Sequence, residues 1–187
     1  MKGFVMKYLM LALCVVFMSA QAREVKGVNF PEEVQLDKTK LVLNGVGVRK
    51  YMIFDVYVAG LYLVQPSQDQ KAIVSTTTPK KISMHFKRTL DKSKLTDAWK
   101  DGFFKNAEGA YRDQYREDLN KLNDIMTFFK DGEVLEITFY PDKVDFKVKD
   151  QPAQTVTGSD FSKTMLNVFI NKAPDDNLRD GLLGKKK

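Results

Sequence analysis

The sequence predicts an α+β fold in which helices lie in one layer on one face of a largely antiparallel sheet. Three features predict it. The stretch Leu41–Val64, LVLNGVGVRKYMIFDVYVAGLYLV, is rich in apolar and β-branched residues and reads as two strands that reverse between Lys50 and Asp55. Apolar residues alternate again at Ile82, Met84 and Phe86, at Leu135, Ile137 and Phe139, and at Val144, Phe146 and Val148, the period of strands with one face in a core. Between and after these runs, apolar residues recur at three- and four-residue spacing, the period of helices packed on one side.

In chain order, residues 1–22 read as a secretory leader. Lys2 and Lys7 make a basic start, Tyr8–Met18 is an apolar run too short to span a bilayer comfortably, and Ala20-Gln21-Ala22 supplies the small-residue cleavage site, with cut before Arg23. Residues 23–187 then form a single domain. Val25 and Val28 open an edge strand that Pro31 interrupts and Val34–Leu36 continues. Asp37–Lys40 is a polar turn into the central stretch, and Gly60 inside its second strand marks a bulge or close packing. Gln70–Ser75 is a short helix. Asp91 caps a helix carrying Leu95, Ala98, Trp99, Gly102 and Phe103, and after a break at 106–109 a second helix carries Tyr111, Tyr115, Leu119, Leu122, Ile125, Met126 and Phe129 on one face. Pro141-Asp142 turns the second strand pair, and residues 151–157 add a short strand. Ser159 caps a helix with Phe161, Met165, Val168 and Phe169 inward, Pro174 ends it, and Asp175–Leu183 forms a last short helix before Gly184.

Composition narrows the function classes. Cys14, the one cysteine, lies in the leader, so the exported chain is without disulfides, and no Asn-x-Ser/Thr sequon occurs; both suit a bacterial periplasm. Removing Lys2 and Lys7 from 30 basic residues, against 24 acidic ones, leaves a net charge of about +4. That charge is spread, apart from the tail Lys185–Lys187, and forms no nucleic-acid footprint. No membrane span remains once the leader is gone. The single histidine, His85, falls on the polar side of its strand and reads as a surface residue. The chain then offers no metal cluster, no Ser-His-Asp or Cys-His centre, and neither a phosphate loop nor a dinucleotide fingerprint. Glu32-Glu33 and Asp175-Asp176 sit in polar stretches and read as solvated. No cofactor is implied, and oligomeric state is left open.

What remains is Arg49. Counting by two from Leu41 gives Leu43, Gly45, Gly47 and Arg49, a set that shares one face of a regular strand. Two glycines beside a guanidinium leave bare backbone, which suits either an anionic ligand group or a tight backbone crossing. Tyr57, in the second strand, is within reach of Arg49 in several registers. An arginine fork with a tyrosine hydroxyl beside it holds the carboxylate of a small amphipathic or aromatic acid, with Trp99, Phe103, Tyr111 and Tyr115 as candidate lining of a cleft between sheet and helices. The structural alternative is an arginine paired with an internal carboxylate, Asp55 being the nearby candidate.

Asn44-Gly45-Val46-Gly47-Val48-Arg49 followed by Val56-Tyr57-Val58-Ala59-Gly60-Leu61-Tyr62 resembles the chalcone isomerase-like superfamily, and the later element order fits it, including Phe161–Leu166, Pro174 and Gly181–Gly184. The resemblance spans nearly all of residues 23–187. It implies an open-faced β-sandwich, a large antiparallel sheet with helices on one face and a ligand cleft between. It also implies a carboxylate-positioning role for Arg49, and for Tyr57 the tyrosine of the fatty-acid-binding branch rather than the threonine of the plant isomerases. The isomerases' tyrosine and asparagine near the start of the helix after the third core strand are matched here by Leu95 and roughly Lys100–Gly102, neither of the catalytic type. The resemblance thus implies a non-catalytic binder of a fatty-acid-like molecule, with no confident catalytic residue. The rivals are an intramolecular lyase or isomerase acting on a chalcone-like phenol, and an envelope interaction module in which Arg49 is purely structural.

Overall fold

The computed structural model describes residues 22–185. The leader expected over residues 1–22 lies, apart from Ala22, outside the described residues, as do the last two lysines of the tail. Nine strands and five helices are described: β1 (Ala22–Val25), β2 (Val28–Pro31), β3 (Glu33–Leu36), β4 (Thr39–Tyr51), β5 (Phe54–Leu63), α1 (Gln70–Ser75), β6 (Lys80–Phe86), α2 (Lys92–Asn106), α3 (Tyr111–Ile125), β7 (Val134–Phe139), β8 (Lys143–Val148), β9 (Gln154–Thr157), α4 (Ser159–Ile170) and α5 (Asp176–Leu182). Strands β3 to β9 form one antiparallel sheet in sequence order, so every neighbour in the sheet is a neighbour in the chain. The helices arise as excursions: α1 between β5 and β6, α2 and α3 between β6 and β7, and α4 and α5 after β9.

One face of the sheet carries Tyr57, Ala59, Leu61, Ile82, Met84, Phe86, Leu135, Ile137, Phe139, Val144, Phe146 and Val148, all buried against Trp99, Phe103, Phe161, Phe169 and the other inward residues of the helices. This is the α+β, helices-on-one-face arrangement, an open-faced sandwich. The opposite face is also covered at one end. The β1–β2 hairpin, turned by Lys26 (φ +54°) and Gly27 (φ +73°), lays Phe30 on a second cluster of Leu41, Leu43, Val58 and Tyr62. The sequence reading treated these residues as one interrupted edge strand and missed the hairpin, whose signal was Gly27 between two valine-containing runs. Phe30 explains Gly60: a Cβ there would come within 2.6 Å of the Phe30 ring.

Strand β4 departs from simple alternation. Leu43 pairs with Tyr62 and Gly45 with Leu61, so Asn44 is an extra residue, a β-bulge. The bulge reverses the facing of all that follows. Leu41 and Leu43 point to the Phe30 cluster together with Val46 and Val48, whereas Gly45, Gly47 and Arg49 point to the helices. The single face expected for Leu41 through Arg49 is therefore split in two. A second bulge, at Val56, follows the pair Arg49–Tyr57. Two other expectations also change. Phe129 lies beyond α3, bridges to Leu90 and stacks on Phe86 at 4.2 Å, and α4 is capped by Gly158 (φ +136°) rather than by Ser159.

The bare backbone at Gly45 and Gly47 is occupied by α5. A Cβ on Gly47 would run into the Leu178 carbonyl and one on Gly45 into that of Gly181, while a Cβ on Gly181 would lie 2.5 Å from the Gly47 Cα. Helix and strand thus meet backbone to backbone, and neither side can recede by changing a rotamer. Gly47→Ala should destabilise the fold at or above the upper end of the ~1–3 kcal/mol typical of overpacked cores, as read from urea unfolding midpoints at unchanged slope.

Candidate functional site

Between the β4–β5 hairpin, α2 and α4 lies a cavity of about 650 Å³, within the roughly 300–1,000 Å³ range of small-ligand sites. Its inner wall is apolar: Val56, Leu90, Leu95, Ala98, Trp99, Val168, Phe169 and Pro174. Its polar groups are Arg49 and Tyr57 on the sheet and Arg88, Thr89, Lys94 and Asp97 toward solvent; Tyr51, Met52 and Phe54 complete the outer lip. Arg49 and Tyr57 are direct cross-strand partners, which the sequence left as one of several registers. Tyr57 is buried, and its hydroxyl makes no hydrogen bond among the described residues. Burial raises its pKa beyond the usual phenol range, partly offset by the Arg49 charge, so it stands as a neutral hydroxyl beside a cation.

Arg49 does not pair with Asp55, which is taken by Lys26 at 3.1 Å. Its partner is Asp175, at 3.6 Å, and it also donates to the Lys50 carbonyl. Asp175 belongs to the pair read as solvated from the sequence. Its side chain is only 10% exposed, whereas that of Asp176 is 81% exposed. Asp175 caps α5 and accepts from the Asn177 amide at 2.7 Å, the Asn177 side chain at 2.9 Å and the Lys50 amide of β4 at 2.8 Å. Burial alone would raise its carboxyl pKa; the Lys50 and Asn177 donors and the Arg49 charge outweigh that and hold it below the usual carboxylate range. A guanidinium has five donor hydrogens. Asp175 holds it from one side at ion-pair rather than close hydrogen-bond distance, and the guanidinium still borders the cavity. The signal for Asp175 was its position: an aspartate after Pro174 and two before an asparagine, at the start of a short helix.

Of the aromatic residues proposed as lining, the structure brings Trp99 into the cavity wall and places the other three elsewhere. Phe103 is wholly buried and packs against Phe161 and Tyr115, with ring centroids at 5.4 and 6.0 Å. Tyr111 donates to Asp118 at 3.0 Å on α3. Helical spacing identified the inward face of α2 and α3, but the core is filled beyond the first turns of α2. At the positions that match the isomerases' catalytic residues, Leu95 contributes an apolar wall, Lys100 and Asp101 are exposed, and Gly102 packs on Val168.

His85 is not a free surface residue. It is half-buried beneath Phe30, with ring centroids at 5.0 Å, and its Nε2 lies 3.0 Å from Ser83 Oγ. Burial lowers its pKa. Strand β6 is paired on both sides, by β5 and β7, so its amides are spent in the ladder and supply no oxyanion donors around Ser83. Ser162 donates to the Tyr140 carbonyl at 2.6 Å and is equally occupied. No group of three or more potential metal ligands occurs among the described residues, and none of the described helices is long and apolar enough to cross a membrane.

Residues 22–184 match the family described as chalcone isomerase-like. The fold is similar to the crystal structure of a fatty-acid binding protein of Arabidopsis thaliana, with a TM-score of 0.70 and 16% identity, covering 87% of this chain and 96% of that one. No curated protein matches the sequence.

The Asp175 cap yields a pH prediction. A carboxyl whose folded pKa is depressed stabilises fully above its unfolded value of about 3.9 and loses that contribution as pH falls through the folded value. Asp175→Asn should therefore melt below the wild type at pH 7, and the gap should close as melts are taken from pH 5 down to pH 2.5. A constant gap would show that the charge of Asp175 contributes nothing.

Proposed function

Since the chain belongs to the chalcone isomerase-like family, we propose that it is a non-catalytic member that binds a small amphipathic acid, fatty-acid-like, with the carboxylate at Arg49 and Tyr57 and the tail against Trp99 and Phe169. The observation that carries this reading is the cross-strand pairing of Arg49 with Tyr57, a buried tyrosine whose hydroxyl makes no hydrogen bond among the described residues, at the wall of an otherwise apolar cavity. Such a pair offers a charge-assisted bond and one neutral donor to a carboxylate, in surroundings that reward burial of hydrocarbon. The fatty-acid binding protein of similar fold supports it, and so does the absence of a tyrosine or asparagine at the two positions matching the isomerases' catalytic pair.

Trp99, the single tryptophan, stands in the cavity wall and reports directly on occupancy. Titration with a long-chain fatty acid below its critical micelle concentration should give a saturable change in its fluorescence. Arg49→Ala should weaken binding by about 10–100-fold, the equivalent of a charge-assisted hydrogen bond, and Tyr57→Phe by only a few-fold. Unchanged affinity in a folded Arg49→Ala protein would overturn the assignment.

The reading includes export to the periplasm with removal of residues 1–22. N-terminal sequencing of the protein recovered from its native envelope should return Arg23 as the first residue; an intact Met1 would refute the cleavage.

A further inference from the structure

Six large hydrophobic side chains stand exposed among the described residues, and four of them are consecutive: Tyr51 (61%), Met52 (82%), Ile53 (87%) and Phe54 (49%). They form the turn of the β4–β5 hairpin, with Met52 in the left-handed region at φ +54°. Asparagine, aspartate or glycine is the ordinary choice for such a position, and methionine there gains nothing from the fold. Cations surround the turn. Lys50 precedes it, the Arg88 guanidinium lies 4.5 Å over the Phe54 ring, and Lys94 faces it from α2. The carboxylates nearby are largely engaged: Asp55 by Lys26 at 3.1 Å, Asp91 by Lys94 at 3.8 Å and Asp175 by Arg49, leaving Asp97.

We propose that this turn docks the protein on an anionic lipid surface, with the four apolar side chains entering the interfacial layer and Lys50 and Arg88 meeting the headgroups. Three observations favour a lipid surface over a protein partner. Four side chains on one protruding turn fall far short of the roughly 20–30 residues a side of a stable protein interface. Aromatic residues beside aliphatic ones with flanking lysine and arginine are the composition that partitions into a bilayer interface. Tyr51, Met52 and Phe54 also form the lip of the cavity, so docking would turn its mouth toward the phase in which amphipathic molecules concentrate. The docking stands beside the acid-binding reading and does not need it.

The test is co-sedimentation with vesicles of phosphatidylcholine alone and of equimolar phosphatidylcholine and phosphatidylglycerol, at low and high salt. The wild type should sediment with the anionic vesicles and be released by salt. Ile53→Asp, at an exposed position outside the cavity wall, should keep the wild-type melting temperature and the Trp99 response to fatty acid. Ile53→Asp should lower vesicle partitioning by about tenfold or more, and Lys50→Glu by a few-fold. Equal sedimentation of wild type and Ile53→Asp, or none with either vesicle, would overturn the proposal. So would a wild-type dimer that Ile53→Asp converts to monomer, which would assign the turn to a second copy of the chain. Loss of fatty-acid binding in Arg49→Ala with vesicle binding retained would separate the two readings.

Discussion

The contact on which the site depends is the one between two backbones, α5 and β4. Because Gly45, Gly47 and Gly181 have no side chains, the helix lies directly on the strand, and its position along the strand is defined at both ends. At one end Asp175 accepts the Lys50 amide; at the other the Asn44 side chain donates to the Leu182 carbonyl at 2.8 Å. A helix held in this way is a rigid mount. It carries Asp175 to Arg49, and that pairing keeps a guanidinium at the edge of an apolar cavity, where a lone cation would be costly to desolvate. The glycine pair and the arginine are therefore one device, although the glycines touch no part of the cavity.

Much of this fold was legible because its signals are local. Alternation exposed the strands, three-four spacing exposed the helices, and the glycine-arginine run pointed to the central hairpin. What was not legible depended on distance. The two glycines allowed a ligand or a backbone crossing, and the occupant is a helix more than 125 residues further along the chain. The Asp175-Asp176 pair reads as polar surface in composition alone, yet α5 buries one carboxylate and exposes the other. Trp99 and Phe103 share an inward helical face and the same aromatic character; only the packing of α4 and β8 decides that the core opens at one and closes at the other.

The two faces of the sheet are finished differently. On the helix side the sheet is covered except where α2 and α4 leave the cavity. On the other side, among the described residues, the β1–β2 hairpin is what covers it, and Phe30 rests where Gly60 offers no side chain. Tyr62 lies beneath that cover, and burial together with Glu32 and Glu136 pushes its pKa to about 12. The same strand β5 thus places one tyrosine, Tyr57, in a cavity wall and another, Tyr62, beneath a lid of aromatic and aliphatic side chains. Identical chemistry borders a cavity in one case and lies under packed side chains in the other, and the strand's facing alone separates them.

That facing is under the control of Asn44. By adding one residue to β4, the bulge works as a splice between two short strands of opposite sense: leucines outward before it, glycines inward after it. A residue added or removed elsewhere along this strand would reverse the facing of everything beyond it. Were Asn44 instead taken into the regular ladder, Val46 and Val48 would turn into the path of α5 and Gly45, Gly47 and Arg49 toward Phe30. The position of a charge at the cavity would then be lost without any charged residue having been altered.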